Sequence, residues 1–483
     1  MTDLSQSPAA AAPTSGPTRW TAASYVYALV VAAVLAYFLY GLTVQVSDSF
    51  VNLLEIQHET LWQAMRDQGI AHGYLRPLLW GQFKIVYSLS GGHYYLWFRT
   101  IQVVQVLVLI LLCVGIMRPA TRLDAALVPG ALAVLVGSHT FAPAVREAFP
   151  INSFLTVMIG CAAAAAVSLQ PRARWWTDAF VILLLVGAAL SVESGLLIWV
   201  VCVAAWIVGG RGLSRIALAL MTLLVLAYLL YRFGAAGAVG GPGLNERASG
   251  FGFHVLEPKE LVARFGAHPA WFYLYNVVAS CLTVLLAEPK AGVYGFTYQV
   301  TTGQLQVWTV VSVVSSAAAT GTVGWYLWMR RSALRAWQLD RDLRVVLVFA
   351  ALLAANAVVS YPYTKNIIMS PAGVLFAPAV FVAARAVLAG AAPRRHALAM
   401  ALVLVLNAGW AFLTIGTHYN LRYTAREQRN TWARIDWWLE LQEMKLDNPD
   451  AVALRNTLQR DAVFDHPTPP EPTGHWTQWF GIE

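Results

Sequence analysis

The chain has 483 residues, of which 58% are hydrophobic and 12% charged, and its mean hydropathy is +0.57. This composition is far more apolar than that of a soluble globular protein, and it predicts an all-α polytopic membrane protein. The net charge of +8 gives no indication of nucleic-acid binding, because basic residues of membrane proteins concentrate in cytoplasmic loops. The four cysteines lie in apolar stretches without paired spacing, which predicts packing roles rather than disulfides or a metal site.

The first apolar stretch follows a segment rich in Ala, Pro, Ser and Thr. Residues 1–20 lack the basic start and short apolar core of a cleavable signal peptide, so we predict a disordered cytoplasmic tail. A helix needs about 20 apolar residues to cross the hydrocarbon core, and about eleven stretches approach that length. Residues 21–415 are therefore predicted to form a transmembrane module. Its predicted spans are residues 25–44, 95–117, 124–140, 153–169, 178–191, 196–209, 214–231, 306–329, 344–360, 372–390 and 396–415.

Basic residues predict the orientation of these spans. They concentrate in every second connection, as in "MRPATR", "GGRGLSR" and "MRRSALRAWQLDRDLR", whereas the alternate connections hold one basic residue or none. Lys and Arg are retained on the cytoplasmic side, so these connections and the N-terminus are predicted to lie inside. Residues 271–294 are apolar enough to span, but a crossing there would reverse every later loop. We therefore expect an interfacial or re-entrant segment on the outer face.

Three larger segments are then predicted outside the membrane: the outer loops 45–94 and 232–305, and the C-terminal residues 416–483. The first loop shows apolar residues at helical spacing from Phe50 and a second run that begins at Pro77, which predicts two juxtamembrane helices. The C-terminal residues show charged positions between apolar ones at helical spacing. We expect them to pack as a small helical segment on the outer face.

The predicted outer face gathers ionisable side chains, which are expensive near hydrocarbon and are therefore candidate functional residues. Asp48 comes directly after the first span. A carboxylate in a partly dry site has a raised proton affinity, so Asp48 is a candidate general base that takes a proton from a hydroxyl. An equally good interpretation is that Asp48 caps the helix that begins beside it.

Two further carboxylates lie in short outer connections. Glu147, in "REAFPI", either shares a divalent cation such as Mg²⁺ or Mn²⁺ with Asp48, binds sugar hydroxyls, or pairs with its neighbour Arg146 on a solvated loop. Glu193, in "SVESG", either lines a polar cavity or caps a helix. For His139 we expect a packing or loop role rather than catalysis.

Two isolated cations stand in apolar or aromatic surroundings. Arg76 lies in "YLRPLLW" and Lys365 in "YPYTKNIIMSPAG". A phosphate group explains both, because arginine offers a two-donor fork and lysine a point charge to phosphoryl oxygens. Snorkelling toward lipid headgroups is the alternative. The sequence shows no Gly-rich phosphate loop, no paired metal-ligand spacing and no nucleophile elbow, so it gives no support to ATP-driven transport or serine-type hydrolysis.

Together these features resemble the GT-C superfamily of integral membrane glycosyltransferases, which use polyprenyl-phosphate-linked sugars. The resemblance rests on an inside N-terminus, an acidic residue just past the first span in "QVSDSF", two juxtamembrane helices, "LRPL" in the same loop, a second acidic position in "REAFPI" and a polar C-terminal segment outside. The resemblance extends over most of the chain and concerns the order of its spans and outer loops. It implies an enzyme of the bacterial inner membrane whose site faces the periplasm or the exterior.

The resemblance also implies a role for each residue. Asp48 would deprotonate the acceptor hydroxyl in an inverting transfer through an oxocarbenium-like transition state. Glu147 and Glu193 would assist in binding the acceptor, which would be a cell-envelope glycan, lipid or protein, or in holding a divalent cation. The first loop lacks the paired DD, DE or ED of the family pattern, so metal use stays open. The phosphate of the departing lipid carrier would be neutralised by Arg76, Arg146 and Lys365.

Two other functions remain as alternatives. An O-antigen ligase or polymerase also joins lipid-linked glycans outside the membrane with about a dozen spans, but such proteins depend on Arg and His in a large late outer loop. A lipid or sugar transporter or flippase would show internal repeats with broken helices and charges near the midplane of the bilayer. The sequence shows no clear repeat, and its charges gather at one predicted face.

Overall fold

The computed structural model describes residues 18–70, 75–146, 153–235, 249–251, 254–256, 262–263, 270–286, 294–361, 366–390 and 393–469. Nearly all of these residues are helical. The strands within them are β1 (Ser249–Phe251) and β2 (His254–Leu256), which pair antiparallel with Ser249 opposite Leu256. The predicted N-terminal tail falls outside the described residues up to residue 17, and its last two residues already belong to the first helix because Thr18 caps that helix.

The helices follow one another through the whole described chain. In chain order they are α1 (Arg19–Tyr40), α2 (Asp48–Ile56), α3 (Leu61–Gln63), α4 (Pro77–Leu89), α5 (Tyr94–Met117), α6 (Arg122–Gly137), α7 (Phe141–Arg146), α8 (Ser153–Ser168), α9 (Trp175–Ala189), α10 (Leu197–Ile207), α11 (Arg215–Leu230), α12 (Ala270–Leu285), α13 (Tyr294–Thr302), α14 (Val307–Met329), α15 (Arg331–Arg335), α16 (Arg341–Val359), α17 (Ser370–Ala389), α18 (Pro393–Ala433), α19 (Ile435–Leu441) and α20 (Pro449–Arg460). Short 3₁₀-helices precede α10 and α17, at Glu193–Leu196 and Asn366–Met369, and π-helical turns continue α3, α11 and α20, at Ala64–Gln68, Tyr231–Ala235 and Asp461–Asp465.

Within the described ranges, five helices are long and apolar enough to cross a membrane, which supports a helical membrane protein. They are α1, α5, α14, α16 and the segment Asn366–Ala389 that contains α17. Each predicted span overlaps a helix, with bounds that differ by several residues in some cases, and the last one overlaps the first part of α18. The length of the remaining helices does not establish that they cross the membrane. The number of about eleven spans therefore stays a prediction. The shorter apolar helices are Phe154–Ser168, Trp175–Ala189, Glu193–Ile207, Arg215–Leu230 and Ala270–Leu285.

The bundle has two chemically different ends. We call the end at which residues 41–70 and 75–93 lie the first-loop end. At the opposite end, arginine side chains tie the helices together. Arg385 of α17 pairs with Asp124 of α6 at 3.5 Å and also with Asp342 of α16. Arg341 of α16 donates a 2.7 Å hydrogen bond to the Ile116 carbonyl of α5. These contacts join four helices and hold the bundle together away from the first loop.

The C-terminal helices cover the first-loop end. Helix α18 continues beyond the bundle, and α19 and α20 pack with α2 and α4 around a separate apolar cluster. Trp432 is fully buried, stacks edge-on against Phe50 at 5.3 Å and donates a 2.7 Å hydrogen bond from Nε1 to the Val44 carbonyl. His466 Nε2 donates to the Tyr40 carbonyl at 3.1 Å. The first loop is therefore held between the bundle and the C-terminal segment.

Helix α12 lies within the segment for which the sequence predicts an interfacial or re-entrant element. Asn276 Nδ2 donates a 2.9 Å hydrogen bond to the Tyr361 carbonyl, two residues past the end of α16. At its other end, the Leu285 carbonyl accepts a 2.6 Å hydrogen bond from Thr320 Oγ1, in the second half of α14. Helix α12 thus runs along α14 and α16 from one end of the bundle into its interior.

Candidate functional site

The candidate site residues that the structure describes fall on four different segments. The backbone of Asp48 begins α2 directly after the N-cap residue Ser47. Arg76 is the N-cap residue of α4, and Arg146 ends α7. Glu193 begins the 3₁₀-helix before α10. Three predicted features lie outside what the structure describes: the Asp48 side chain, Glu147 and Lys365.

Arg76 and Glu193 are brought together although they lie 117 residues apart in the chain. Pro77 at the first position of α4 favours a helix start there, and the Leu78 amide donates a 3.1 Å hydrogen bond to the Leu190 carbonyl just past α9. Arg76 Nη2 then lies 2.7 Å from Glu193 Oε2, with the two side chains 30% and 17% exposed. The Glu193 side chain therefore pairs with a cation. At the start of its own 3₁₀-helix, the N-cap residue Val192 forms no side-chain hydrogen bond to the helix.

A second arginine, which the sequence analysis did not name, joins this pair. Arg232 lies in the π-helical turn that continues α11, its side chain is 0% exposed, and its Nε lies 3.9 Å from Glu193 Oε1. We call Arg76, Glu193 and Arg232 the arginine–glutamate cluster. Two guanidinium groups therefore face one carboxylate. A charge this deeply buried is retained only where it is paired or has a function.

Arg99 is a further buried cation of the first-loop end that the sequence analysis did not name. It lies near the start of α5 and is 1% exposed. Its Nε donates to the Leu42 carbonyl at 3.0 Å and its Nη2 to the Thr43 carbonyl at 3.0 Å. Its Nη1 donates to the Arg146 carbonyl at 3.1 Å and to Gln102 Oε1 at 2.7 Å.

Gln102 extends this arrangement by one residue. Its Nε2 donates a 2.6 Å hydrogen bond to the Val145 carbonyl, next to the Arg146 carbonyl that Arg99 binds. Two separate segments, the chain after α1 and the end of α7, are thus fastened to the same face of α5. In the sequence, Asp48 comes five residues after Thr43, and Glu147 directly follows Arg146.

Helix α4 is anchored by a buried lysine. Lys84 Nζ donates to the Ile56 carbonyl at 2.7 Å and to the Gln57 carbonyl at 3.2 Å, and so ties α4 to the end of α2. Burial lowers the pKa of Lys84, and the nearby carboxylate of Glu59 partly opposes this effect. The apolar faces of α2 and α4 and this lysine together position the helix that Asp48 begins.

His139 lies where the chain leaves α6. Its Nε2 is 3.3 Å from Ser312 Oγ, and its ring meets Trp308 edge-on at 5.7 Å, so it packs against the start of α14. Among the described residues, no three His, Cys, Asp or Glu side chains come together as a metal site. The divalent cation predicted for Asp48 and Glu147 stays a prediction, because both carboxylates lie outside the described side chains.

The two arginines were missed for different reasons. Arg232 follows "LAYLLY" at the end of an apolar stretch, where a basic residue is ordinarily taken as a loop boundary. Arg99 and Gln102, in "FRTIQ", were counted inside the span at 95–117. The sequence does show an arginine and an amide three residues apart on one face of an apolar helix. Burying both costs free energy, so this pair indicates a structural or functional role.

No family model matches the chain, and neither a curated protein nor a solved structure shows significant similarity to it.

Proposed function

We propose that the protein is a membrane glycosyltransferase that moves a sugar from a polyprenyl-phosphate donor to a cell-envelope acceptor at the first-loop end. The observation that carries the proposal is the arginine–glutamate cluster, in which two guanidinium groups from distant segments meet at one carboxylate. The cluster lies at the start of α4 and at the end of α11, both at the predicted non-cytoplasmic face. The proposal takes this face to be periplasmic or exterior in a bacterial inner membrane, with the N-terminus inside.

Charge complementarity supports a phosphate-linked donor. A sugar joined to a lipid through one phosphate is a phosphodiester with one negative charge, and the cluster brings two guanidinium groups together at one place. Guanidinium groups bind phosphoryl oxygens through two parallel donors and keep their charge at any physiological pH. In this proposal Arg76 stabilises the negative charge that develops on the leaving phosphate, and Arg146 and Lys365 add positive charge nearby.

The reaction needs one base and a held acceptor. Asp48 takes the proton of the acceptor hydroxyl as that oxygen attacks the anomeric carbon from the face opposite the phosphate. The bond between the anomeric carbon and the phosphate oxygen breaks, its electron pair stays on that oxygen, and polyprenyl phosphate leaves. Glu193 keeps the two arginines in place, and Glu147 assists the acceptor. Helix α2 is held by its buried residues Phe50, Leu53 and Ile56, which suits a base that must stay in one position.

The proposal is tested with the purified protein in nanodiscs and a panel of synthetic polyprenyl-phospho-sugars. Asp48→Asn should lower the rate of transfer at least about 100-fold, in the range that removal of a general base costs. Asp67→Asn is the matched control, because Asp67 lies in the same loop and pairs only with the exposed Arg66 in the described structure. Undiminished transfer by Asp48→Asn, or an equal loss in both variants, would show that Asp48 is not the base.

Orientation is tested separately. Ser88 is exposed at the first-loop end and Ser332 is exposed at the opposite end, in α15. With Cys281 replaced by Ser, because the other three cysteines are buried, single cysteines at these positions report the two faces. A membrane-impermeant maleimide added to the outside of spheroplasts should label Ser88→Cys and leave Ser332→Cys unlabelled. The reverse pattern would place the site inside.

A further inference from the structure

The hydrogen bonds described for Arg99 join two chain segments. Its described partners are three backbone carbonyls, of Leu42, Thr43 and Arg146, together with the Gln102 amide. A guanidinium group offers five donors in a rigid plane, so it can hold carbonyls of different segments at fixed angles. An ammonium group, with one nitrogen, cannot reach three carbonyls in this arrangement.

Burial makes this arrangement costly to maintain. The free-energy cost of removing an arginine from water is offset only when its donors are hydrogen-bonded. An apolar residue at this position would cost less free energy to bury. Arg344 shows the same chemistry at the opposite end: its Nε donates to the Leu339 carbonyl and its Nη1 to the Gly209 carbonyl, each at 2.9 Å. The two arginines thus differ in which segments they join.

We propose that Arg99 is a positioning residue of the transfer site, which holds the chain before Asp48 and the chain before Glu147 at a fixed separation. The proposal rests on the proposed function. Arg99 acts through the backbone, at Thr43 on one side and at Arg146 on the other, and it does not itself touch the substrate. Gln102 supports it by holding the Val145 carbonyl of the same α7 segment.

The kinetic test compares Arg99→Lys with Arg344→Lys in the same nanodiscs. A misplacement of about 1 Å costs on the order of 100-fold in rate, so Arg99→Lys should lower kcat by about that factor while KM for the donor changes less than about threefold. Arg344→Lys should keep kcat within about threefold. Asp48→Asn added to Arg99→Lys should cause much less further loss than it causes alone, because the two residues act as a unit. Equal kcat in the two lysine variants, or fully multiplicative losses, would overturn the proposal.

A distance measurement tests the same claim without activity. Spin labels at Gln45 and Ala142, in a protein with Cys281 replaced by Ser, report the separation of the two segments by double electron–electron resonance. The distance distribution should broaden or shift in Arg99→Lys and keep its width in Arg344→Lys. An unchanged distribution in Arg99→Lys would overturn the proposal. If the unaltered protein transfers no sugar, the proposed function fails, and this distance alone decides whether Arg99 holds the segments.

A second variant serves if Arg99→Lys does not fold. Gln102→Leu removes the hydrogen bond to the Val145 carbonyl and one partner of Arg99, but leaves the three carbonyl bonds of Arg99. It should broaden the distance distribution and lower kcat by about tenfold, less than Arg99→Lys, because two hydrogen bonds are lost while the three carbonyl bonds of Arg99 remain. A Gln102→Leu protein with unaltered distances and kcat would contradict the positioning role.

Discussion

The ion pair between Arg76 and Glu193 gives a prediction whose magnitude follows from its burial. Two unit charges about 4 Å apart attract by about 4 kcal/mol at an effective dielectric constant of 20, and desolvation offsets part of this gain. The side chains are 30% and 17% exposed, so the pair lies between a surface and a fully buried case. We expect a coupling free energy of about 1–3 kcal/mol, within the usual range for contacting residues.

A double-mutant cycle measures this coupling. The free energy of unfolding is determined in mixed detergent micelles for Arg76→Gln, Glu193→Gln and the double variant. Arg66 and Asp67 form the matched control, because their 2.6 Å separation is similar while their side chains are 59% and 42% exposed. Exposed pairs couple weakly. A coupling between Arg76 and Glu193 no larger than that of the control pair would refute the argument that burial makes this cluster strong.

Three further predictions concern stability. Burial opposes the charge of His466, but its contacts with Asp461 and with the carbonyl at the end of α1 raise its pKa. The stability that this charge contributes is full below the unfolded pKa of about 6.5 and is lost as pH rises through the folded pKa. Protease protection of the C-terminal segment should therefore decline as pH rises above about 6.5, and His466→Gln should remove this pH dependence. Trp432→Phe removes the donor to the buried Val44 carbonyl and should lower the free energy of unfolding by about 1–3 kcal/mol, as measured by chemical denaturation. Gly212→Ala would place a Cβ 1.8 Å from a backbone carbonyl of α8, so a loss of about 1–3 kcal/mol is expected in the same assay.

The helices could be predicted from the sequence because each long run of apolar residues indicates a helix directly. The run that ends at Met117, for example, coincides with the end of α5. The extension of α18 to Ala433 was less visible, because charged residues after position 415 lower the hydropathy without interrupting the helix. The packing of Trp432 on Val44 joins residues 388 positions apart, and no local pattern carries that information.

The candidate site could be predicted only in part. Arg76 and Glu193 stood out because each is a charge in apolar surroundings, yet their pairing depends on how α4 meets the end of α9. Arg99 and Arg232 could not be ranked from the sequence, because the meaning of a charge inside or beside an apolar stretch depends on which carbonyls or carboxylates the fold brings to it.

The central claim is that a sugar is transferred at the first-loop end, and the products of one incubation test it most directly. The unaltered protein in proteoliposomes should convert one member of the polyprenyl-phospho-sugar panel into a glycoside of inverted configuration, with an equal amount of polyprenyl phosphate. Asp48→Asn should form both products at least about 100-fold more slowly. Movement of the labelled lipid-linked sugar across the bilayer with its phosphate bond intact would instead indicate a transporter and contradict the account.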